Sequence, residues 1–124
     1  MIKVAFNPLR QTLIALHRTL LDAERRDYER LRGRVSDGEF LDVVVKNPDF
    51  SWLGALTTMI VQLDELDADA KRRGLDKECL AQIRKLLTPA AGAGEFNRKY
   101  ETSLQRNPEV VVAHGAVMRA LGPL

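Results

Sequence analysis

Apolar residues recur along most of this chain at spacings of three and four, the rhythm of one helix face. Leu9, Leu13, Leu16 and Leu20 form the first stripe, widened by Ile14, His17 and Leu21. Asn7-Pro8 before them reads as an N-cap followed by proline at the first helical position. Beyond Ala23 the pattern turns polar, and Gly33 stops the helix behind Arg30 and Arg32. Ser36 with Glu39 three residues on is a capping-box pattern, opening a short helix with Phe40, Leu41, Val44 and Val45 expected inward. Asn47-Pro48 ends it, because the residue before proline is steered out of helical geometry. Asp49 then caps a third helix, with Trp52, Leu56, Met59, Leu63, Leu66 and Ala70 on one face, running to Gly74. Leu75 and Leu80 staple an Asp76 cap at the start of a fourth helix carrying Ile83, Leu86 and Leu87. A short loop around Gly92-Ala93-Gly94 leads to a thin stripe of Phe96, Tyr100 and Leu104. Asn107-Pro108 opens a last helix with Val110, His114, Val117 and Leu121 on one face.

Two runs resist this reading. Val43-Val44-Val45 and Val110-Val111-Val112 have the β-branched character of strands. Helix starts precede both and no hairpin turn pairs them, so both read as helix, with a strand as the alternative. The expected fold is all-α, a single domain over residues 1–124: a compact bundle of about five helices plus a short one.

Composition narrows the function more than it names it. With 19 Lys and Arg against 17 Asp and Glu, the net charge of +2 gives no field that would by itself select nucleic acid or a membrane. A single cysteine, Cys79, excludes an internal disulfide framework and a Cys-rich zinc site. The first residues lack the apolar core and cleavage site of a signal peptide, and no apolar run approaches a membrane span. A cytoplasmic protein is the expectation.

Two segments resemble a known group. Leu16-His17-Arg18-Thr19-Leu20-Leu21-Asp22-Ala23-Glu24-Arg25-Arg26-Asp27-Tyr28-Glu29 is one. The other is Asn47-Pro48-Asp49-Phe50-Ser51-Trp52-Leu53, continuing through Leu56, Ile60, Val61 and Asp64-Glu65. Together, over the first half of the chain, they resemble an uncharacterised family of small bacterial helical proteins. The resemblance implies a bacterial cytoplasmic protein and carries with it no activity, cofactor or catalytic residue.

Three constellations are candidates for chemistry. His17 and His114 lie in apolar stripes of the first and last helices, and Glu24 follows His17 by two turns. If a bundle sets those helices side by side, the three can bind a metal or move a proton. Against this, the Glu-x-x-His repeats of di-iron bundles and the His-Glu-x-x-His signature are both missing. Second, Glu24, Tyr28 and Trp52 offer a carboxylate, a phenol and an indole to a small ligand. The plainer reading makes Trp52 a core anchor with the other two at its rim. Third, Ala70-x-x-x-Gly74-Leu75 with Leu80 and Ile83 has the spacing of a helix-turn-helix, which would turn Lys77, Gln82 and Lys85 outward. Asp69 and Arg73 depart from that motif, and Asp64, Glu65, Asp67 and Asp69 would repel phosphate. Cys79 has no histidine near it in sequence, and Gly92-Ala93-Gly94 lacks the strand and lysine of a phosphate loop.

No catalytic residue, metal site or cofactor emerges. The sequence points to a non-catalytic interaction or regulatory module working through helix faces, with a second copy of the chain or another protein as partner. The last helix supports a dimer, since Val111, Val112, Val117, Met118 and Leu121 spread beyond a single face. A helix-turn-helix-like DNA-binding protein and a small-ligand or metal-binding bundle are the alternatives.

Overall fold

The computed structural model describes residues 6–66, 74–88 and 94–122, and among these there are six α-helices, one 3-10 turn and no strand. Helix α1 spans Phe6–Arg32, α2 Asp37–Lys46, the 3-10 turn Pro48–Leu53, α3 Gly54–Asp64, α4 Leu75–Leu86, α5 Glu95–Arg106 and α6 Pro108–Leu121. The all-α bundle expected from the sequence is the fold, and both triple-valine runs are helical. No described helix is long and apolar enough to cross a membrane.

Helix α1 is the organising element. Its stripe of Leu9, Leu13, Leu16 and Leu20 is completely buried. It packs most extensively against α6, which contributes Val110, Val117 and Leu121, and next against α3. Helix α5 lies on α6 and on the 3-10 turn, and α4 lies on α3 and α6. Arg26 pairs with Glu109, which sets the start of α6 against the C-terminal half of α1. Arg84 of α4 donates to the carbonyls of Leu121 and Gly122, at 3.3 and 3.1 Å, and holds the other end of α6.

Local punctuation follows the sequence with five corrections. At Phe6, the first described residue, the chain is already helical, so Asn7 and Pro8 sit inside α1 rather than at its boundary. The Ser36–Glu39 capping box is present in both directions. The next element is capped by Asn47, whose side chain accepts from the Asp49 N–H at 2.9 Å, and it opens as a 3-10 turn rather than as an α-helix capped by Asp49. Asp76 is not a cap: α4 begins one residue earlier, behind Gly74 at φ +77°. The third helix ends at Asp64 with Glu65 as its C-cap, short of the expected stop at Gly74; residues 67–73 and the Pro89–Ala93 loop lie outside the described residues.

The last correction concerns α2. Phe40 is buried, and Val43 and Val44 pack on the core. Leu41 and Val45, expected inward, face solvent at 65% and 75% exposure. A helix that covers one side of a small bundle can bury only one stripe, and the bulk of Phe40, seated edge-on to Phe50 with ring centres 5.7 Å apart, decides which stripe that is.

Candidate functional site

The two histidines do not meet. His17 on α1 turns to α3, where its Nε2 lies 3.1 Å from the Thr57 hydroxyl. His114 on α6 turns to α5, where its Nδ1 lies 2.6 Å from the Tyr100 hydroxyl. Burial lowers the pKa of both histidines and raises that of Tyr100, so the His114–Tyr100 pair is a neutral imidazole against a neutral phenol. Glu24 faces neither histidine pair but lines a separate recess. Among the described residues no three His, Cys, Asp or Glu side chains are placed to hold a metal ion.

The Glu24–Tyr28–Trp52 pocket also divides. Trp52 is 4% exposed and leans on Phe96, which stacks in turn on Tyr100. Its indole N–H is buried without an acceptor among the described residues. Tyr28 belongs to a different aromatic cluster, with Phe40 and Phe50 at ring-centre distances of 6.5 and 6.3 Å. Arg25 covers Phe40 and Arg32 covers Tyr28, closing that cluster from solvent with cations over ring faces. These rings join α1, α2 and the 3-10 turn.

The charged run of α1 ties elements together instead of forming a merely solvated face. Arg25 pairs with Asp37 at 2.8 Å and donates to the Val35 carbonyl at 2.6 Å, which fixes the turn into α2. Asp27 pairs with Arg30 within the helix at 2.6 Å, and Arg106 of α5 approaches it at 3.7 Å.

Lys77, Gln82 and Lys85 of α4 are exposed as expected. Lys77 and Gln82 nevertheless stand about 140° apart around the helix. The first turn also carries Asp76 and Glu78, where a recognition helix would approach phosphate. The small-residue turn before α4 lies outside the described residues. Cys79, near the start of the same helix, is buried, and burial pushes its thiol pKa up rather than activating it.

One recess was not foreseen. It encloses about 290 Å³ between the C-terminal half of α1, the start of the 3-10 turn and one face of α5. Three carboxylates, Glu24, Asp27 and Asp49, face three cations, Arg98, Lys99 and Arg106. Thr102, Ser103 and Asn107 complete the wall. Lys99 donates to the Asp49 carbonyl at 3.2 Å, and Asn107 donates to the Ser103 hydroxyl at 3.2 Å. Glu24 makes no hydrogen bond or ion pair among the described residues, and its pKa is raised by burial first and then by Asp27. The sequence does carry a signal for this wall: Arg98, Thr102 and Arg106 recur every four residues on α5, a polar stripe opposite the apolar one.

Among the described residues the exposed large apolar side chains include Ile14, Leu31 and Val61, and two further groups each share one helix. One is Leu41 and Val45 on α2, in line with Gly38, around which nothing lies within 4 Å of where a Cβ would stand. The other is Val111 and Val112 on α6, beside Gly115. Gly115 is not open in the same way, because the Arg119 guanidinium lies 3.4 Å from where its Cβ would be. No protein-family model, curated protein or solved structure matches this chain.

Proposed function

We propose that the protein is a non-catalytic interaction module of the bacterial cytoplasm that pairs with a second copy of itself through the outer face of α2. The observation that carries the reading is the exposed stripe of Gly38, Leu41 and Val45, spaced three and four apart on one helix face. Two features favour a second copy as the occupant. Helix α2 begins with Asp37 and Glu39 and ends with Lys46, so an antiparallel pair about a two-fold axis sets the acidic start of each copy beside the basic end of the other. In the same arrangement Val45 of one copy falls over Gly38 of the other, where there is room for it. The α6 valines are the weaker surface, because Arg119 already occupies part of that face.

A pair of helices this short buries less than the ~1,200 Å² typical of tight complexes, so the dimer is weak and depends on concentration. Sedimentation equilibrium across a concentration series tests it. The mass should rise from 13.9 kDa towards twice that value. Leu41→Glu should hold the protein monomeric, while Val112→Glu should leave pairing intact. A mass that stays at 13.9 kDa at the highest concentration overturns the dimer, and loss of pairing on Val112→Glu alone moves it to α6.

A further inference from the structure

We propose that the recess between α1, the 3-10 turn and α5 binds a small zwitterion, of which a free α-amino acid is the simplest. Its charge balance selects this class. Three carboxylates against three cations leave no net sign, so the site favours neither a divalent cation, which needs an excess of carboxylate, nor a phosphate, which needs an excess of cations. What the site offers instead is separated charge within one small volume, the complement of a molecule bearing an ammonium and a carboxylate together. The volume of about 290 Å³ sits at the small end of ligand cavities, which run from about 300 Å³ upward.

Glu24 is the receiving group for the ammonium. It is half-buried and has no hydrogen-bond donor among the described residues, and burial raises its pKa even though the charges of Lys99 and Arg106 act the other way. Its neighbours are already engaged: Asp27 by Arg30, and Lys99 by the Asp49 backbone. An ammonium placed on Glu24 would supply the missing hydrogen bonds to a carboxylate held partly out of water, where charge-assisted bonds are strongest. Arg106 is the group for the ligand's carboxylate. Its contact with Asp27 is long at 3.7 Å, and its side chain is more than half exposed, so the guanidinium can turn to a second anion. Ser103, 5% exposed on the recess wall, accepts from Asn107, and its own hydroxyl hydrogen has no acceptor among the described residues.

Titration of the nitrogen-15-labelled full chain with L-serine, followed by amide chemical shifts, tests the site. Ethanolamine, which carries only the cation, and lactate, which carries only the anion, are the comparison probes. Serine raised to about 10 mM, tenfold above a 1 mM Kd, should produce saturable shifts centred on the amides of Glu24, Ser103 and Arg106. Each comparison probe should bind at least about tenfold more weakly, the equivalent of one lost charge-assisted hydrogen bond. Glu24→Gln and Arg106→Gln should each weaken serine by a similar factor while keeping the wild-type spectrum elsewhere. Absence of localised shifts overturns the proposal. So do equal responses to serine and to either comparison probe, or unchanged binding by Glu24→Gln.

Discussion

Trp52 shows how a residue that reads as a ligand contact can be a core anchor whose polar atom is stranded. Truncation to alanine removes a nearly full-sized buried side chain beside Phe96, and the expected loss is about 3–5 kcal/mol in urea unfolding. Trp52→Phe should cost much less, because it also removes an indole N–H that has no acceptor among the described residues. Wild-type emission should be blue-shifted; a maximum like that of tryptophan in water would contradict the burial. The histidines yield a pH dependence whose sign can be worked out. Burial lowers the pKa of His17 and His114 from 6.5, so below that value the unfolded chain binds more protons than the folded one. Stability should be constant above 6.5 on their account and fall as pH drops towards the folded-state values. Glu24 acts oppositely: its raised pKa means that the folded state holds the proton more tightly just above 4.5, and stability declines as pH rises through that window. Urea midpoints measured from pH 7.5 to about 4.5 should therefore fall for wild type, and should fall further at the acid end for Glu24→Gln, which lacks the offsetting contribution.

Among the elements, α2 is the most informative. Its start is fully encoded: Ser36→Ala breaks the bond to the Glu39 N–H and should cost about 1 kcal/mol in thermal unfolding. At the preceding turn, Gly33 has φ +89°, which an L side chain rarely adopts, so Gly33→Ala should be destabilising even though the space around it is open. Leu41→Glu, by contrast, should leave monomer stability within about 0.5 kcal/mol, because the side chain faces water. That contrast marks what could be read from the chain alone. Caps, stops and four-three stripes are local, so the six described helices and most of their boundaries were legible. Which stripe of α2 is buried was not, because Phe40, Leu41, Val44 and Val45 are all apolar and the choice rests on the rings of Tyr28 and Phe50 brought in from elsewhere. The recess was hidden for a related reason. Its acidic wall comes from α1 and the 3-10 turn and its basic wall from α5, and local periodicity does not say which polar faces will confront each other.

For the molecule as a whole, the separate destinations of His17, Glu24 and His114 show the limit of a bundle argument. Helices α1 and α6 do lie side by side, the condition for two histidines on them to meet, yet each histidine turns away to a different helix. Adjacency of helices does not fix which faces are shared. The ties between elements are mostly exposed ion pairs, Arg26–Glu109 among them, and such pairs contribute little each. Arg26→Ala should lower stability by no more than about 1 kcal/mol, and added salt should shrink even that difference. Far-ultraviolet circular dichroism should be dominated by helix, and a sheet signal of about a fifth or more would contradict the fold.

The principal partner of α1 is α6, made about 75 residues later, and this separation matters during synthesis. At about 5–20 residues per second, α1 leaves the ribosome on the order of ten seconds before α6 exists. Throughout that interval the stripe of Leu9, Leu13, Leu16 and Leu20 lacks its main cover. Nascent chains stalled before Pro108 should therefore be captured by chaperones and digested readily by protease, and extension past Gly122 should release and protect them together. Helix α1 waits for translation to supply its mate.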